Sequence, residues 1–87
     1  MKLLRASIDM IAIFHENEPP EPVRFRYRRD GHCWEVKVDK VIDLSRRIYG
    51  NTKDYTYICQ SVIGRRQRTY ELRYNGEAVR WELYKTH

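Results

Sequence analysis

Apolar and polar residues alternate with period two from Val23 to Arg28 and again from Cys33 to Val38, with Asp30-Gly31 between them. The same alternation runs from Arg68 to Tyr74 and from Ala78 to Leu83, around Asn75-Gly76. Both dipeptides favour the positive φ angles of two-residue hairpin turns, so each pair of segments predicts a β-hairpin. A tight turn at Asp30-Gly31 sets Tyr27 opposite Trp34, Phe25 opposite Val36 and Val23 opposite Val38 on one face. Its other face then carries Arg26 opposite Glu35 and Arg24 opposite Lys37. A tight turn at Asn75-Gly76 predicts Leu72 opposite Val79, Tyr70 opposite Trp81 and Glu71 opposite Arg80. A one-residue slip would turn every aromatic to the wrong face, which specifies register strongly.

Residues 55–63 read as another strand, leading through Gly64-Arg65-Arg66 into the second hairpin. Tight closure sets Cys59 near Tyr70 and Tyr57 near Leu72, and leaves Ile58 and Val62 on the other face, so a covered or central strand is expected. In residues 2–14, Leu4, Ala6, Ile8, Met10, Ala12 and Phe14 alternate as in a strand, although Leu4, Ile8, Ile11 and His15 also fit a helix face. The β-branched Ile8, Ile11 and Ile13 favour the strand. Glu16 to Pro22 predicts a stiff, acidic, exposed connection. Ile42, Leu44 and Ile48 either continue the preceding strand or form a short helical turn over Ile58 and Val62, ending at Gly50-Asn51. The expected fold is all-β: a small antiparallel six-stranded barrel-like or strongly bent sheet, with at most one short helical turn near 42–50. Its core would hold Phe25, Tyr27, Trp34, Tyr57, Tyr70, Trp81 and the valines.

The 87 residues, 41% hydrophobic and 33% charged, fit one domain spanning 1–87 with a single core. No apolar stretch approaches the roughly 18 residues of a membrane helix. Arg5, Ser7 and Asp9 break any signal-like apolar run, so a cytoplasmic protein is expected. Cys33 and Cys59 form no CxxC or disulfide framework and read as small hydrophobes of a reducing compartment. No metal-ligand spacing links them to His15, His32 or His87, and no cofactor is implied.

Charge is uneven. Up to Pro22 there are two bases against four acids, whereas residues 23–87 hold 15 bases against 8 acids, within an overall +5. Most bases are Arg, whose planar fork suits phosphates and base edges, so a polyanion partner is favoured. Arg24, Arg26 and Arg28 project from one strand face at roughly 7 Å steps, near the phosphate spacing of an extended single strand. Arg65, Arg66 and Arg68 cluster around a turn, and Arg46-Arg47 add two charges. With Tyr49, Tyr74 or Tyr84 as stacking platforms, such arginines suit a groove for single-stranded nucleic acid. The competing reading is a solvated polar strand face, with Arg26–Glu35 and Arg80–Glu71 as cross-strand pairs.

No GxSxG, HExxH, P-loop or GxGxxG motif occurs. The function expected is therefore non-enzymatic binding, through Arg24, Arg26, Arg28, Arg65, Arg66 and Arg68. A protein-docking adaptor or homodimer pairing an exposed strand edge is the alternative. A small ribonuclease using His15, His32 or His87 ranks below both.

Pro22-Val23-Arg24-Phe25-Arg26-Tyr27, Trp34-Glu35-Val36, Glu71-Leu72-Arg73-Tyr74 and Trp81-Glu82-Leu83 together resemble a family of small uncharacterised bacterial β-domains. Similar domains occur at the end of catalytically inactive Y-family polymerase-like proteins in bacterial mutagenic repair. The resemblance spans about residues 22–84 and implies an all-β fold, a DNA-repair or protein-docking context, and no catalytic residue. The chain departs from that pattern where a tryptophan pair is expected, carrying Arg46-Arg47-Ile48-Tyr49 instead.

Overall fold

The computed structural model describes residues 2–87, which form seven strands and no helix. They are β1 (Lys2–Ile13), β2 (Glu21–Arg29), β3 (His32–Lys37), β4 (Lys40–Tyr49), β5 (Thr52–Ile63), β6 (Arg66–Asn75) and β7 (Arg80–Thr86). All pair antiparallel in one sheet of order β3-β2-β1-β7-β6-β5-β4, which is not closed into a barrel. Six strands in a barrel-like or strongly bent sheet were expected; the sheet is open, and the seventh strand is β4, which occupies the region where a helical turn near 42–50 was the alternative. Tight turns at Gly50-Asn51 and Gly64-Arg65 make β4, β5 and β6 a continuous meander.

Strand β1 joins two wings. Its first part, from Lys2 to Ile8, pairs with β7, and its last part, from Asp9 to Ile13, pairs with β2. Register shifts interrupt both ladders, and Arg5, at φ 50°, lies within the first of them. Such bulges bend a strand and increase its twist, so the β1-β2-β3 wing folds over the rest of the sheet. The core fills the concave side with Ile8, Phe25, Val36, Tyr55, Tyr57, Cys59, Tyr70, Leu72, Tyr74, Trp81 and Leu83.

The first hairpin has the predicted register, including Tyr27 opposite Trp34 and Phe25 opposite Val36. Asp30 and Gly31 take φ 52° and 79°, as the tight turn requires. Cys59 faces Tyr70 and Tyr57 faces Leu72, also as predicted. The second hairpin differs. Asn75 pairs with Arg80 and Leu72 with Leu83, so the loop spans Gly76 to Val79. The Asn75 carboxamide oxygen accepts a bond from Ala78 N–H at 2.9 Å, which supports a wider turn than two residues. Gly76 N–H donates to Asp54 Oδ1 at 3.2 Å. The shift is even, so Trp81 still faces the core. Leu83 fills the place expected for Val79, which is exposed.

Further expectations change. Trp34 lies on an edge strand and is 43% exposed, whereas Tyr74, expected as an exposed platform, is buried. Residues 16–22 are not wholly an exposed connection, because Glu21 and Pro22 begin β2, and Pro20 and Pro22 are buried. The Pro20 carbonyl accepts the Tyr57 hydroxyl, and Phe14 meets the Tyr74 ring edge-on at 5.9 Å. Strand β5 is central, between β4 and β6, as one of the two expectations had it, and Val62 on its other face is 63% exposed.

At the opposite corner, Ser61 Oγ donates to Lys37 O at 2.6 Å and sits in hydrogen-bond contact with the Tyr70 hydroxyl. Serine has one proton, so Tyr70 donates to it. Val62 N–H donates to Asp39 Oδ2 at 2.8 Å, and Asp39 N–H to Gln60 O at 3.2 Å.

Residues 76–79 give opposed predictions. A Cβ at Gly76 would lie 2.3 Å from the Lys53 backbone oxygen, so Gly76→Ala should cost at least about 1 kcal/mol in urea unfolding. Val79 is held at φ 50°, costly for a β-branched residue, and is 71% exposed. Val79→Gly should therefore stabilise by about 1 kcal/mol. Burial raises the pKa of the Tyr57 and Tyr70 hydroxyls above the phenolic range and pushes the Cys59 thiol up to about 12. The unfolded chain then releases these protons first. Stability is full below roughly pH 8 and falls as pH rises, first through the range of a free thiol and then through that of free tyrosine, a loss that alkaline denaturation will show and Tyr57→Phe will make shallower. In the native protein Cys33 should react with a thiol reagent, and Cys59 only on unfolding.

Candidate functional site

The folded-over wing leaves a cleft of about 280 Å³ at one mouth of the sheet. The first hairpin supplies Phe25, Tyr27, Trp34 and Val36 to one wall. The facing wall comes from Ile63 at the end of β5 and from Arg68, Thr69 and Tyr70 on β6, with Leu83, Thr86 and His87 completing the lining. Alternation explains both walls. Tyr27 and Trp34 are directly opposed partners on the concave face, and their rings stack at 5.4 Å and 26°. Arg68 has the same strand parity as buried Tyr70, and the side chain emerges where the core ends. The T-shaped Phe25–Tyr70 contact at 5.6 Å ties the two walls together beneath the cleft.

Strand β3 is an edge with no neighbour beyond it, so one side of Trp34 stays open. His32 lies 5.8 Å from the indole, ring centre to ring centre. The result is a flat aromatic surface at the mouth of an apolar cleft, rimmed by cationic side chains. Sequence alternation assigned Trp34 to the core and missed this surface. The only local signal was the shortness of its strand, since edge position depends on strand order.

The structure separates the two predicted arginine groups. Arg24, Arg26 and Arg28 project from the convex face. Arg26 lies 3.6 Å from Glu35, as the cross-strand register predicts, and Arg28 lies 3.9 Å from Asp9. Arg24 faces Lys37 and has no ion pair among the described residues. Much of that stripe is thus compensated. Arg65 occupies the β5–β6 turn, Arg66 begins β6, and Arg68 lines the cleft; all three are exposed and make no ion pair among the described residues. Their charge remains available to a ligand.

The expected tyrosine platforms fare differently. Tyr74 is buried. The Tyr84 ring is covered by the Arg73 guanidinium at 3.3 Å, and Arg5 donates to its hydroxyl at 3.4 Å. That hydrogen bond, with the neighbouring cations, lowers the Tyr84 pKa from its ordinary value. Arg73 also donates to Glu71 at 2.8 Å, replacing the expected Arg80–Glu71 pair. Tyr49 is exposed on β4, with Arg47 5.3 Å from its ring centre.

The three histidines occupy separate places: His15 in the β1–β2 connection, 4.0 Å from Glu21, His32 at the first hairpin, and His87 along the cleft. Among the described residues no cluster of three His, Cys, Asp or Glu side chains could hold a metal ion. No helix among them is long and apolar enough to cross a membrane. Comparison of the chain with protein-family models, with curated proteins and with solved structures finds no match.

The contrast between the two tryptophans is measurable. Trp81 is 6% exposed, so in Trp34→Phe the remaining emission should be blue-shifted and poorly quenched by acrylamide. A remaining emission as accessible as in the parent would contradict the open position of Trp34.

Proposed function

We propose that this protein binds single-stranded nucleic acid at the cleft mouth. The carrying observation is the juxtaposition of exposed Trp34, stacked on half-buried Tyr27, with Arg68 across one apolar cleft and Arg65 and Arg66 at the adjoining β5–β6 turn. Single-strand recognition needs an aromatic platform for an unstacked base and cations that follow the backbone. Stacking is worth about 1–3 kcal/mol per base and tolerates any sequence. The convex Arg24, Arg26 and Arg28 stripe extends the positive field more weakly, since two of its members face carboxylates. The resemblance to β-domains of polymerase-like repair proteins implies a DNA-repair or protein-docking context, the first of which fits this class of ligand. Binding without catalysis fits the separation of the three histidines.

Anisotropy of labelled single- and double-stranded DNA and RNA at two salt concentrations tests the proposal. Single strands should bind more tightly than duplexes, with affinity falling steeply as salt rises. Arg65→Glu with Arg66→Glu should weaken binding on the order of tenfold or more and reduce the salt slope. Trp34→Ala should cost roughly tenfold with the slope retained, and Arg24→Glu should cost less than the turn variants. Absence of binding at low salt, or affinity indifferent to both Trp34 and Arg65/Arg66, overturns the proposal.

A further inference from the structure

An edge strand exposes a row of unpaired backbone groups, and soluble proteins blunt such edges by shortness, proline or charge. Strand β4 is an edge of ten residues, all exposed, paired on one side to β5. It contains no proline, and it exposes Val41, Ile42, Leu44, Ile48 and Tyr49, each to between 39% and 56%. The Leu44 N–H donates to the carboxylate of its neighbour Asp43 at 3.0 Å.

The charges on this edge are self-complementary. Among the described residues neither Asp43 nor Arg47 makes an ion pair, and alternation puts both on the convex face, opposite Ile58 and Asp54 of β5. Consider antiparallel pairing of β4 with β4 of a second copy about a two-fold axis, which makes each contact occur twice. With Ser45 on the axis, Asp43 of each copy faces Arg47 of the other. Leu44 then packs against the aliphatic stem of Arg46, and the bulge at Ile42 ends the symmetric register beyond Asp43. Moving the axis to Leu44 sets Asp43 against Ser45 and leaves Arg47 without a facing carboxylate. Moving it to Arg46 sets that arginine against its own copy. Opposed like charges destabilise a strand pair, so the Ser45 register is selected.

We propose that two copies of this chain associate through their β4 edges in the Ser45-centred register, joining two seven-stranded sheets into one. The partner is a second copy because the charge pattern fits itself. The edge lies apart from the cleft, so the association is independent of any nucleic acid.

Analytical ultracentrifugation of the full chain across a concentration series, without nucleic acid, tests this. A concentration-dependent dimer is expected. Asp43→Arg alone and Arg47→Asp alone should each weaken it on the order of tenfold or more, and the two combined should restore it. Restoration by the swap separates an interface role from damage to the fold. Directly opposed residues on an axis come close enough for a disulfide, so Ser45→Cys in a Cys33→Ser background should give a covalent dimer on mild oxidation. A monomer at every concentration overturns the proposal. So does a dimer indifferent to all three charge variants and not trapped through position 45.

Discussion

Two residues, Val38 and Asp39, carry the chain from β3 at one edge of the sheet to β4 at the other. Three Cα steps reach at most roughly 11 Å, whereas seven strands lying flat would separate those edges by roughly 29 Å. The sheet must coil until its edges touch at this corner. The bulges in β1 make the bend, and the Asp39 hydrogen bonds to Gln60 and Val62 hold it. Everything else follows from that closure: a concave side deep enough for a core, and a mouth where the two wings stand apart.

The coil also explains the chemistry of the core. Tyrosines supply four of the eleven core residues on the concave side, and a hydroxyl buried with its ring needs a partner. Those partners lie in the opposite wing or its connections. Tyr57 reaches the Pro20 carbonyl, and Tyr70 reaches the Lys37 carbonyl through Ser61. No buried side-chain polar atom among the described residues lacks a hydrogen bond. The same groups that demand satisfaction therefore fasten one wing to the other at two separate points. Their burial holds the tyrosine protons and the Cys59 thiol against release in the folded state.

Coiling divides the surface as well. The convex face mixes acids with bases, so the Arg24, Arg26 and Arg28 stripe is partly compensated, and Tyr84 is closed over by Arg73. The mouth of the cleft has the opposite balance, with uncompensated arginines beside an open indole. The outer edge of β4 offers backbone groups and apolar side chains in place of charge. These three surfaces differ because the strand order leaves β3 and β4 at the edges and pairs the others on both sides, although the strands themselves alternate alike.

The alternation by itself determined the all-β class, the existence of six of the strands, the register of the first hairpin and the register of β5 against β6. Local turn chemistry and a period of two are sufficient for those, because each involves only strands adjacent in the chain. It also determined which face Trp81 takes, since the second hairpin slips by an even number of residues and an even slip preserves faces. Strand order was decided by tertiary structure alone. No local pattern states that β3 and β4, neighbours in sequence, lie at opposite edges, or that the β1 ladder changes partner part-way along. With that order came the exposure of Trp34, the burial of Tyr74 and the bare edge of β4, where Ile42, Leu44 and Ile48 fit strand or helix equally well in sequence. Side-chain periodicity encodes which face a residue occupies; whether that face or edge is covered depends on contacts between distant segments.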